Sequence, residues 1–181
     1  MSILSNIGYK LNRKMEEENR MFADITAKKR NEAESTIKLM LNSVKHKIEE
    51  EEAKRGIVIR KAIYGNLQAY DDDISASRPT SGAEKPYFDV TIPVQYQVQK
   101  SRIHLEPHSK AGLLGFYDPC PGYQQKKLLV KYRFKGKMHQ VIVGDTEKLE
   151  MPLASHALRK RKNVKEGKQK AAAADVPSES S

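Results

Sequence analysis

At 181 residues, with 38% hydrophobic and 31% charged side chains, the chain has material for one ordinary domain plus extensions, not for a core along its whole length. A formal net charge of +10 points to anionic partners such as acidic protein segments, lipid headgroups or nucleic acid. The single cysteine, Cys120, excludes an internal disulfide and a multi-thiolate zinc cluster, and no apolar run reaches the roughly eighteen residues a bilayer-spanning helix needs.

The opening stretch, MSILSNIGYKLNRKM, puts Ile3, Leu4, Ile7 and Leu11 at helical spacing, with Lys10, Arg13 and Lys14 and no acid before Glu16. Mitochondrial presequences share this amphipathic, basic, acid-poor pattern, and so does the frayed start of an ordinary helix. Residues 1–20 are set apart on that ground. From Glu16 to Arg55 there is neither proline nor glycine and strong helix formers dominate, which predicts a long helix over 21–55. Ile37, Leu41, Val44 and Ile48 line one face of it, with Leu39 and Met40 widening the stripe. Such a helix outruns the domain it leads into, so its N-terminal half is expected to project or to pair with another chain. The run Glu49–Glu52 reads as ordinary helix-surface charge, and Gly56 is expected to end the helix as its left-handed cap.

The period then changes. IVIRKAIY (57–64) reads as a strand with Ile57, Ile59 and Ile63 on one side. Residues 71–86 read as a polar loop. FDVTIPVQYQV (88–98) alternates and reads as a longer strand, placed by Pro93 at an edge or bulge. RIHLE (102–106) is expected to pair back onto it through the QKS turn. LLVKYRF (128–134) and MHQVIV (138–143) flank KGK as a hairpin, and EKLEMP (147–152) supplies a last short strand. The fold class is therefore α+β: a long N-terminal helix, then an antiparallel β-sandwich of six to seven strands over 56–153. Composition predicts a disordered basic tail over 154–181, carrying Arg159, Lys160, Arg161, Lys162, Lys165, Lys168 and Lys170.

Signals for chemistry are few. There is no Walker-type loop, GxSxG elbow or HExxH helix. Cys120 stands between prolines in DPCPG, which suits a structural turn better than a nucleophile. His104 and His108 are separated by Pro107 and would leave zinc short of ligands, so neither metal nor cofactor is expected. The tail's RKRK (159–162) has no interleaved aromatic on which a base could stack, which weakens a nucleic-acid reading and leaves phosphate or lipid contact. In HSKAGLLGFYDPCPG (108–122), Gly112, Gly115 and Gly122 supply backbone freedom while Pro119 and Pro121 restrict it. The apolar residues of this loop either fold back onto the sandwich or face a partner.

SKAGLLGFYDPCPG (109–122), followed by LLVKYRFKGKMHQVIVGD (128–145), closely resembles the C-terminal region of the DnaJ homologue subfamily C member eleven family. KKRNEAESTIKLMLNSVKHKIEEEEAKRGIVIRKAIYG (28–65) and DVTIPVQYQV (89–98) are similar to the preceding segments, so the resemblance covers residues 22 to 153 in order. It implies association with mitochondria, with the outer membrane and with the machinery that organises cristae. Members carry an N-terminal J domain whose HPD tripeptide stimulates an Hsp70-type ATPase. No HPD occurs in this sequence, so no co-chaperone activity is expected of this chain, which looks like a truncated form, a fragment or a paralogue. The resemblance supplies no catalytic residue. The expected function is a non-enzymatic interaction module of a mitochondrial membrane-organising assembly, the alternative being nucleic-acid or anionic-surface binding through the tail. The partner-binding candidates are Phe116 and Tyr117, as aromatic anchors, and the helix stripe Ile37, Leu41, Val44 and Ile48.

Overall fold

A computed structural model describes residues 3–76 and 85–158. Helix α1 (Ile3–Ala53) is 51 residues long, roughly 75 Å at about 1.5 Å per residue. It takes in the amphipathic start and the stretch from residue 21 as one element. The left-handed residue that ends it is Arg55 (φ 54°), one position before the expected glycine. Gly56 is there for space: a Cβ would sit 1.9 Å from Glu51 Oε2 and 2.3 Å from Ser101 Oγ. The buried Glu51 carboxylate accepts from the Ile57 amide at 3.0 Å and the Ser101 hydroxyl at 2.6 Å. Its neighbour Glu52 pairs with Arg60 and Arg133. Half of the tetra-glutamate run is therefore a clamp between helix and sheet, and only Glu49 and Glu50, beside His46, behave as surface charge.

There follow β1 (Val58–Gly65), α2 (Leu67–Ser75), β2 (Tyr87–Asp89), α3 (Thr91–Tyr96), β3 (Ile103–Leu105), β4 (Lys127–Phe134), β5 (Lys137–Gly144) and β6 (Leu149–Met151). Strands β2-β1-β4-β5 form one antiparallel sheet, and β3 with β6 a second. The α+β class, with a long helix followed by six antiparallel strands, is as the sequence implies. The β4–β5 hairpin closes through Lys135 and Gly136, both at positive φ (48° and 75°), the pairing a tight two-residue turn requires.

Several local expectations need correction. The alternating run at 88–98 is not one strand. Only Tyr87–Asp89 pairs with β1, after which the chain turns into α3. Asp89 Oδ1 accepts from the Thr91 amide at 2.9 Å and the Thr91 hydroxyl at 2.6 Å, starting the helix, and Pro93 falls in the first turn, where no amide is needed. RIHLE does not form a ladder with that segment; apart from the bridge Gln99–Arg102, it pairs with β6. The polar stretch thought to begin a loop at residue 71 is the second half of α2, whose Asn66 side chain caps the amides of Gln68 and Ala69. A bulge between Ile59 and Lys61 shifts the parity of β1, so Ala62 and Tyr64 join Ile57 and Ile59 in the main core cluster, while Ile63 is buried outside it. The chain also stays ordered past residue 154: Ala154–His156 form a 3-10 turn and Ala157 bridges to His139. The basic residues 159–170 lie outside the described residues.

The core lies between one face of the larger sheet and a layer made of α3, the β3–β6 pair and the 108–122 loop. Leu128, Val130, Tyr132 and Val143 meet Val90, Val94, Val98, Ile103, Leu149, Met151 and Phe116 there. α1 joins this body through its C-terminal half. Ala33, Met40 and Val44 are buried, α3 is its main contact, and Lys47 Nζ donates to Tyr96 O at 2.6 Å, where a cation suits the carbonyl end of α3.

Candidate interaction surface

The glycine- and proline-rich loop is held from below by one lysine. Lys110 is almost fully buried, and its Nζ donates to the carbonyls of Gly144, Asp145 and Glu147 at 2.9, 2.7 and 2.7 Å. Burial lowers its pKa from the usual lysine value, against the pull of Asp145 and Glu147. The Asp145 carboxylate completes the anchor. Oδ1 accepts from Tyr64 OH at 2.6 Å and the Lys110 amide at 2.9 Å, and Oδ2 accepts from Ser109 Oγ at 2.9 Å. Burial alone would raise this carboxyl, but those donors outweigh it and hold its pKa below the ordinary aspartate value. Burial and the same carboxylate push the Tyr64 phenol well above its usual range.

Phe116 and Tyr117, the leading contact candidates, are corrected by burial: they are 7% and 5% exposed. Phe116 packs on Tyr64 with ring centroids 5.7 Å apart, and Tyr117 meets Phe88 edge-on at 4.7 Å. Gly115, at φ 80°, turns the chain inward, and a Cβ there would lie 2.8 Å from Pro93 Cγ. The loop is a plug whose aromatic rings fill the core. Leu114 is its exposed apolar residue.

Cys120 sits in a turn in which its amide donates to Asp118 Oδ1 at 3.0 Å, and Lys126 pairs with the same carboxylate. Burial and Asp118 raise its pKa, which keeps the thiol protonated at neutral pH. The histidines are dispersed: His104 lies between Glu106 and Glu150, while His139 stacks on Tyr132 at 4.9 Å. Among the described residues, no three His, Cys, Asp or Glu side chains gather where a metal ion could be held.

The helix candidates divide. Val44 is buried against the domain and Ile48 is half-buried; Leu41 is 38% exposed, and Met40 is the residue buried beside it. Ile37 is half-buried and lines an open groove of about 580 Å³ where α1 leaves the domain. Phe88 and Ile92 share that apolar floor, and Glu34, Lys38, Arg60 and the Lys61–Asp89 pair (2.7 Å) form its charged rim. Phe88 and Ile92 went unrecognised because a strand reading hid the turn that brings them beside Ile37. Upstream, Leu11, Met15, Phe22 and Ile25 are between 49 and 64% exposed.

Comparison with known proteins identifies the family. The family described as DnaJ-like protein C11, C-terminal, matches residues 16–152. The chain is 40% identical over 146 residues to the DnaJ homolog subfamily C member 11 of Pongo abelii, covering 81% of this chain and 25% of that protein. Its counterpart in Mus musculus is 41% identical over 136 residues (75% and 23%), and the homolog in Dictyostelium discoideum 37% over 139 residues (76% and 24%). The chain thus spans about a quarter of the length of the curated relatives it matches. No solved structure matches. With a family match running from α1 through β6, the chain belongs to the DnaJ-like protein C11 C-terminal domain family.

Proposed function

We propose that the chain is a non-enzymatic interaction module, docking a mitochondrial membrane-organising assembly through the groove of Ile37, Phe88 and Ile92. The observation that carries this reading is a division of labour among side chains. The buried ionisable and amide groups Glu51, Gln95 and Lys110 are each bonded within the fold, whereas the groove presents an apolar floor with a mixed-charge rim. A floor of that kind, ringed by charge, is the anatomy of a protein-binding patch. The cristae-organising setting and outer-membrane location follow the family's expected biology, and the module supplies no J-domain stimulation of an ATPase of its own. The basic residues of 159–170 add a salt-dependent contact to anionic lipid or acidic protein.

The test is affinity purification of the tagged chain from mitochondria, with protease protection reading its submitochondrial position. Ile92→Glu places a charge on the groove floor at a half-buried site and is expected to remove co-purifying membrane-organising proteins while leaving thermal unfolding near the parent's. Undiminished co-purification by that folded variant refutes the groove; a chain absent from mitochondria refutes the setting.

A further inference from the structure

The N-terminal half of α1 carries a second surface, separate from the groove. Leu11, Met15, Glu18, Phe22, Ile25, Lys29 and Glu32 recur at alternating intervals of four and three residues. That spacing defines a seam with a 3.5-residue period, the period of helices that coil around each other. The apolar members are exposed although, downstream, the same side of the helix is buried through Ala33, Met40 and Val44. Leu39, 84% exposed, continues apolar surface along the flank turned away from Met40.

Three charges, Glu18, Lys29 and Glu32, interrupt the seam, and the placement of the first two selects the partner. Glu18 and Lys29 lie 5.5 residues on either side of a point midway between Ala23 and Asp24, and Phe22 and Ile25 lie 1.5 residues on either side of the same point. A second helix of identical sequence, run antiparallel through that point, sets Phe22 against Ile25 of the second copy, twice. It also sets Glu18 against Lys29 of the second copy, twice. Flanking the seam, Glu17 faces Arg30 of the second copy in the same register, beside the pairs these make within their own helix with Arg13 and Glu34. A parallel pair in register would instead stack Glu18 on Glu18 and Lys29 on Lys29, placing like charges in the seam. We infer that α1 pairs two copies of this chain as an antiparallel coil centred between Ala23 and Asp24.

Sedimentation velocity of the full chain at low salt tests this, because exposed charge pairs are screened as salt rises. The parent is expected to dimerise. Glu18→Lys or Lys29→Glu alone should each weaken the dimer by about tenfold, as two cross-helix attractions become repulsions. The double variant E18K/K29E exchanges both signs and should recover the parent's affinity. An equimolar mixture of the two single variants should form a mixed dimer, since each supplies what the other lacks. Circular dichroism checks that helix content is unchanged in each. A monomer at every concentration reached overturns the inference, and so does a dimer indifferent to these reversals. Capture of the seam by anionic phospholipid vesicles in place of dimerisation overturns it as well.

Discussion

Lys110→Met isolates the claim that the 108–122 loop is scaffold. The variant keeps the aliphatic stem and removes the ammonium, leaving the carbonyls of Gly144, Asp145 and Glu147 without the donor that now serves all three. Charge-assisted hydrogen bonds contribute about 1.5–3 kcal/mol each. Their sum overstates the loss, because burying the ammonium is itself unfavourable, as the lowered Lys110 pKa shows, and because water can reach part of the exposed turn. A net destabilisation of about 3 kcal/mol remains, near what breaking a buried ion pair costs. Urea unfolding should show a lower midpoint with an unchanged slope. Lys110→Arg should recover little, since a planar guanidinium cannot converge on three carbonyls as a tetrahedral ammonium does. A loss below about 1 kcal/mol would refute the reasoning, because the loop would then be held by its aromatic plug alone.

Other outcomes follow from the same geometry. Phe116→Ala and Tyr117→Ala should each cost about 3–5 kcal/mol in chemical denaturation, so any loss of partner binding by them reports unfolding and not a lost anchor. His156 Nδ1 and Tyr132 OH share a hydrogen bond of 2.9 Å, and burial, with His139 nearby, lowers the histidine's pKa below 6.5. Its contribution is therefore complete above the ordinary histidine value and is lost as pH falls toward the folded value. Thermal unfolding followed below pH 6.5 should decline less steeply in His156→Gln than in the parent. Deleting residues 159–181 should abolish the salt-dependent part of binding to anionic vesicles in a flotation assay; retention of that part would place the anionic contact on the domain.

Much of the architecture was legible from periodicity, and the failures have physical causes. The β4–β5 hairpin and the long helix could be read because one period dominates each. In 88–98 two periods coexist. Val90, Ile92, Val94, Tyr96 and Val98 alternate, yet Val90, Val94 and Val98 are also one helical face, and that is the face the fold buries. The deciding signals were polar: Asp89 two residues before Thr91 opens a helix, and Gln95 is buried so that its amide can bond Ile59 N at 2.7 Å and Ile57 O at 3.3 Å. A buried glutamine serving the bulged strand β1 has no local sequence mark. The groove suffered for the same reason, since Ile37 was in view while Phe88 and Ile92 were placed on a strand. Phe116 and Tyr117 misled because composition shows that a loop has aromatic rings without showing which way Gly115 turns them.

The way α1 is fastened gives the pairing of its free half a geometric consequence. Val44 and Met40 pack against the domain, Lys47 caps α3, and Glu51 and Glu52 lock the junction to Ser101, Arg60 and Arg133. With so many ties below Ala33, the helix acts as a rigid arm, and whatever fixes its outer half fixes the domain's position. In an antiparallel pair centred between Ala23 and Asp24, Ser35 of each copy lies 11.5 residues from the centre, so the two are 23 residues apart along the axis. At about 1.5 Å per residue and an interaxial distance of about 9 Å, their separation is roughly 35 Å. A spin label at Ser35→Cys, in a chain carrying Cys120→Ser, should therefore report a distance near that value by pulsed electron paramagnetic resonance. A parallel pair would bring the labels to roughly 10 Å, the bare interaxial spacing. That reading would mean that the opposed charges of Glu18 and Lys29 do not set the direction of pairing, and the two grooves would then face the same end of the assembly instead of opposite ends.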